Sequence, residues 1–179
     1  MFKYFKFNNS IFIISIAVLL ILILAPFNKG KMEEQVEIDA VVATVNGENI
    51  IYKDVIKVKN SMRLKKYNDL TNNNEDKLTE AAIEQRIIHR LLIQEAQRLN
   101  IEVSDEEVAI QLQLIKEVLP SDLTLEESLI LQNYTEDALL AEIKEQLMIE
   151  RLLLEYSNNR EELINTLKSD ADINTLIKE

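Results

Sequence analysis

His89 is the only side chain in this sequence whose ordinary pKa lies near neutrality, so any acid–base or metal scheme needing an imidazole must use it. It stands between Arg86 and Arg90, at the edge of an apolar helical arc. A pH-sensing role there competes with a plain place on the rim of a core, and the rim is the simpler reading. Adjacent carboxylates occur at Glu106-Glu107 and Glu126-Glu127. Successive helical residues point apart, and both pairs fall in first helical turns, where acids favour the helix dipole. Capping accounts for them without catalysis. Glu33-Glu34 lies in a solvated, charged stretch, and serines and threonines sit at helix caps with no base beside them. Cysteine is absent, which removes thiolate nucleophiles, thiolate zinc sites, disulfides and lipid attached through sulfur. There is no phosphate-binding loop. The expectation is a chain with no catalytic residue, no cofactor and no metal.

What remains is apolar chemistry. Met148, Ile149, Leu152 and Leu153 form a second arc on a long C-terminal helix that already has one in Leu139, Leu140, Ile143, Leu147 and Leu154. Such an arc would suit weak binding of extended apolar segments, with Met148 supplying an adaptable thioether. The competing reading is that the next helix covers the arc as core. Met62 has the same two readings.

The elements that position these residues are mostly helical. Two glycines and two prolines are too few for a many-turned β fold. Ala40 to Val45 is a short β-branched run ended by the turn pair Asn46-Gly47. Ile51, Val55, Val58 and Met62 then recur at helical spacing, predicting a first helix to about Lys66. Tyr67 to Asp76 reads as a polar loop. A second helix over about Thr79 to Leu99 carries the apolar centre, and Asn100 suits a left-handed C-terminal position. Ser104 and Glu107 form an S-x-x-E capping box opening a third helix, with Val108, Leu112, Ile115 and Val118 on one stripe and a stop before Pro120. Thr124 and Glu127 repeat the box for a short fourth helix ended at Asn133. Thr135 caps the fifth, to about Tyr156; a sixth covers Glu161 to Lys168, and Ala171 to Leu176 alternates like a brief strand.

Residues 1–31 are a different material. Ile11 to Ala25 is apolar except for Ser15, and residues 1–32 carry a net +4 against −15 for the rest. At about 1.5 Å per residue the run is shorter than a roughly 30 Å hydrocarbon core, so it fits a short span or a signal-peptide core. Ile23 and Pro26 make poor surroundings for cleavage after Ala25, which favours an uncleaved, single-pass anchor over residues 11–27. Lys3 and Lys6 would keep its start in the cytoplasm and the body outside the cell membrane; the alternative is secretion after cleavage. Residues 32–39 read as a tether and 40–179 as one domain. A body so acidic repels phosphate backbones, which excludes nucleic acid as a partner.

The segments VVATVNGENI (Val41 to Ile50), AAIEQRIIHRLLIQEAQRLNIEVSDEEV (Ala81 to Val108) and the Thr135-Glu136-Asp137 start of the long helix resemble, in order and spacing, the SurA N-terminal domain family and PrsA-type foldases. The resemblance implies a mainly α chaperone domain of about six helices, closed by a two-stranded β element in which Ala171 to Leu176 lies beside Ala40 to Val45. It also implies an extracytoplasmic, ATP-independent module for unfolded or newly exported proteins, or alternatively a dedicated interaction or regulatory module with one partner. Such domains usually bracket a parvulin-type prolyl isomerase. Here the corresponding point is the link Tyr156 to Arg160, which has no room for one. Departures from the family pattern are Ile51 where a hydroxyl cap is usual before the first helix, and Asn100 and Asn133 where glycine is common.

Overall fold

A computed structural model describes residues 38–64, 75–131 and 134–176; the proposed anchor, the tether as far as residue 37, the first helix's end near Lys66, the polar loop as far as residue 74 and the helix end at Asn133 lie outside them. In chain order the elements are β1 (Val41–Val45), β2 (Glu48–Ile51), α1 (Tyr52–Leu64), α2 (Glu75–Arg98), α3 (Asp105–Val118), α4 (Leu125–Leu131), α5 (Glu136–Glu155), α6 (Arg160–Asp170) and β3 (Ile173–Thr175). Helices dominate, and the strands form one antiparallel sheet of order β2-β1-β3.

The tail does fold home. Ala43 pairs with Thr175, Thr44 with Asn174 and Val45 with Ile173. The sheet has three strands where the sequence suggested two. Glu48–Ile51 is the addition, paired back on β1 through a two-residue hairpin. That hairpin needs positive φ at both central residues, and Asn46 (φ 50°) and Gly47 (φ 83°) supply it.

Asn46 also holds the tail. Its backbone N–H donates to the Asp172 carbonyl at 2.8 Å, its Oδ1 accepts from the Asp172 N–H at 2.9 Å, and its Nδ2 donates to Gln94 Oε1 at 2.8 Å. Gln94 in turn donates to Glu48 Oε1 at 2.7 Å, so one asparagine joins the hairpin, β3 and α2.

Local chemistry explains most element ends. Asn100 (φ 54°) takes the left-handed position after α2, with Ile101 N–H bonded to the Ala96 carbonyl and Asn100 N–H to that of Gln97, each at 2.9 Å. Both capping boxes form, Ser104 with Glu107 and Thr124 with Glu127. The Thr135 hydroxyl caps α5 by accepting from Ala138 N–H. At α1, where Ile51 occupies the cap, the orphan N–H groups of Tyr52 and Lys53 are taken by the carbonyls of Ala40 and Ile38, at 2.9 and 2.8 Å. The strand margin thus does the work of the missing hydroxyl.

Helix α2 starts at Glu75, a turn before the periodicity suggested. Leu78 is buried and extends the arc N-terminally, while the Glu75 carboxylate meets Arg63 at 2.5 Å and Lys59 at 3.3 Å across α1. Two corrections apply to apolar stripes. Val118 is 50% exposed and Leu154 46% exposed, each at a helix end and outside the cluster that buries the rest of its stripe.

The core sits around α2, which packs on α1, α5, α6 and β1. Ala43, Val45, Ile50, Val55, Ile83 and Ile87 form its sheet-side part. Leu92, Ile93, Ala96, Ile149, Leu152 and Leu163 form the part under α6. A third cluster, of Val103, Val108, Ile115, Leu125, Leu129, Leu139 and Ile143, builds a lobe from α3, α4 and the first half of α5.

Candidate binding surface

The five residues singled out as apolar binding candidates fall largely inside. Leu152 is fully buried and Ile149 nearly so, against Leu92, Ile93, Ala96 and Leu163. Leu153 is half-buried on the same cluster, where α6 lays Ile164 and Leu167 over the arc. Of the two readings set side by side for this arc, covered core is the one its burial fits; Ile149 and Leu152 present no surface here. Met62 is half-buried against the sheet-side core. Met148 bridges two clusters and also lines an open groove of about 530 Å³ with Ile101, Val103, Lys144 and Arg151. Arg151 fixes one wall of that groove by pairing with the Glu107 carboxylate and the Glu102 carbonyl.

A cluster of charged side chains that no sequence window contains joins α1, α2 and α5. Arg86 approaches Asp54 at 3.8 Å, and Arg90 holds Glu48 at 3.0 Å. The Lys57 ammonium sits 4.2 Å from the centre of the Tyr134 ring, whose hydroxyl donates to Glu142. Burial, followed by the charge and hydrogen bond of Glu142, pushes the Tyr134 phenol well above its usual value. Burial also raises the Glu145 carboxyl, though Arg90 and Arg86 oppose the rise. Burial, then Arg86 and Arg90, depress His89 to about 3, which favours the neutral imidazole at neutral pH. These charged and ring contacts tie α1, α2 and the start of α5 together. Among the described residues no group of three or more His, Asp or Glu side chains could hold a metal ion, and no helix is long and apolar enough to cross a membrane.

The apolar surface that is open lies elsewhere. Of the seven large hydrophobic side chains exposed among the described residues, four are on α3 and α4: Ile110, Val118, Ile130 and Leu131. Ile110, Leu114 and Val118 recur every fourth residue and so share one stripe of α3. That stripe lies away from the one defined by Val108, Leu112 and Ile115, which faces α4 and α5. Ile130 and Leu131, 69% and 70% exposed, end α4 beyond its buried Leu125 and Leu129. The spacing of Ile110, Leu114 and Val118 was available in the sequence as the signal for this surface. It was obscured because Val118 also fits the edge of the inner stripe.

Comparison with known families gives one result: a family model described as SurA-like N-terminal domain matches residues 1–153, ending within α5 and before α6 and β3. No curated protein and no solved structure matches.

Proposed function

Because the chain belongs to the SurA-like N-terminal domain family, we propose that it is an ATP-independent, chaperone-like module that binds unfolded or newly exported proteins and does not isomerise prolyl bonds. The observation that carries this reading is the family's fold joined to large apolar side chains on α3 and α4 that are exposed among the described residues. Exposed large hydrophobic side chains cost a soluble domain solubility, and a binding role gives them a use. Weak, non-directional apolar contacts suit many substrates and need no nucleotide to release them. The link between α5 and α6 supports the lack of isomerase at this point, since Tyr156 and Ser157 turn back onto the Leu152 and Leu154 carbonyls within four residues.

The proposal places the body outside the cytoplasm, held by an uncleaved span over residues 11–27. Its support is the run from Ile11 to Ala25, apolar except for Ser15, behind Lys3 and Lys6. Secretion after cleavage is the alternative, and N-terminal sequencing of the mature protein separates the two.

Light scattering tests the function. Residues 33–179, at stoichiometric amounts and without nucleotide, are expected to delay aggregation of several unrelated proteins diluted from denaturant, and to leave the rate of prolyl isomerisation in a model peptide unchanged. If no protein is protected and membrane pull-down returns one stoichiometric partner, the chain is instead a dedicated interaction module.

A further inference from the structure

The exposed apolar stripe of α3 and the end of α4 lie in a lobe whose charge differs sharply from that of the rest of the body. Residues 38–104, which include β1, β2, α1 and α2, hold ten acids and ten bases and are neutral overall. Residues 105–137, which build α3, α4 and the start of α5, hold nine acids against Lys116 alone, a net −8 of the chain's −11. Most of those carboxylates are exposed, among them Glu106, Glu117, Asp122, Glu126 and Glu136. Glu107 is engaged in its capping box and with Arg151, and Glu127 in its own capping box, so both are held in place rather than neutralised by several bases.

Charge of one sign on the same helices as exposed apolar side chains decides what can sit there. A second copy of the chain would bring another −8 to the same face and be repelled, and an anionic lipid surface is disfavoured for the same reason. A cationic polypeptide gains twice, by burying apolar side chains on Ile110, Leu114, Val118, Ile130 and Leu131 and by placing its charges among the carboxylates of the same helices. Resting on the chaperone-like reading above, we propose that the α3–α4 lobe selects apolar polypeptide segments flanked by lysine or arginine. The apolar stripe supplies retention, and the carboxylates supply selection and faster encounter.

Fluorescence anisotropy with two short labelled peptides tests this, using the full-length chain carried in phosphatidylcholine nanodiscs, with empty discs as blank. The peptides share one apolar centre and differ in flanks, lysine in one and glutamate in the other. The lysine peptide is expected to bind about tenfold more tightly at about 0.05 M salt, and most of that advantage is expected to vanish at about 0.5 M. The double variant Ile130→Ser with Leu131→Ser should weaken both peptides without lowering thermal stability, since both side chains are exposed. The double variant Glu117→Gln with Glu126→Gln should shrink the difference between the peptides while leaving the glutamate peptide no weaker. Equal binding of the two peptides, or stronger binding of the glutamate peptide, overturns the proposal. So does self-association, or binding to phosphatidylglycerol vesicles, that the Ile130/Leu131 variant abolishes. Aggregation protection that persists with no preference between the peptides sinks this inference alone; loss of protection for every protein sinks the chaperone-like reading with it.

Discussion

Replacing Leu152 by alanine lowers the free energy of unfolding by about 3 kcal/mol, within the range of about 2–5 kcal/mol for buried leucines. Leu152 has no exposed surface and is enclosed by Leu92, Ile93, Ala96, Ile149 and Leu163, drawn from α2, α5 and α6. Surroundings contributed by three helices relax poorly around a void, so the cavity term adds to the lost transfer energy. Its neighbour Leu153 is half-buried, and Leu153→Ala should cost less than half as much. Urea denaturation of the two variants beside the parent checks the pair. Equal, small losses would mean that α6 does not cover this arc and that the arc is open surface after all.

Acid is expected to destabilise the protein through His89, with a difference between parent and His89→Gln that grows as pH falls. The folded-state pKa is depressed to about 3 by burial and by Arg86 and Arg90, against an unfolded value near 6.5. Between those values the unfolded chain carries the extra proton, so the contribution of this site is complete above pH about 6.5 and is lost as pH falls toward about 3. The slope approaches about 1.4 kcal/mol per pH unit in that window, so from pH about 5.5 to about 3.5 the parent should lose on the order of 2 to 3 kcal/mol more than His89→Gln. Glu145, in the same charged cluster, acts in the opposite direction because its carboxyl is raised and gains a proton more readily when folded. Glutamine at position 89 leaves that contribution in place, so the difference between the two proteins isolates the histidine. NMR gives an independent check: the imidazole C–H signals should stay fixed from pH about 8 to about 4.5, and a midpoint near 6.5 would contradict the buried, arginine-flanked setting.

Features decided by local chemistry were legible in the sequence. Asn100, the Ser104-Glu107 and Thr124-Glu127 boxes and the Thr135 cap each satisfy backbone groups within a few residues, so residue type and spacing suffice to place them. The return of the tail to β1 came from family resemblance, since three residues of alternating pattern carry little signal alone. β2 was missed because Glu48 and Asn49 are polar and Ile50-Ile51 breaks the alternation; the hairpin at Asn46-Gly47, not the strand's own sequence, brings it into the sheet. An apolar arc says that a helix has wide contacts, not which neighbour makes them. In sequence, Met148, Ile149, Leu152 and Leu153 therefore admit either a covered or an open arc. The cluster joining Asp54, Arg86, Tyr134, Glu142 and Glu145 draws on α1, α2 and α5, so no window of sequence displays it.

The most direct test of a multi-substrate binding surface on α3 and α4 is site-specific photo-crosslinking to polypeptides diluted from denaturant. A photoreactive phenylalanine derivative placed at Ile110 or Ile130 should form adducts with several unrelated polypeptides in the absence of nucleotide, and the same group at Glu162 on α6 should form none. Adducts equally abundant at Glu162, or confined at every position to a single protein, would contradict the account.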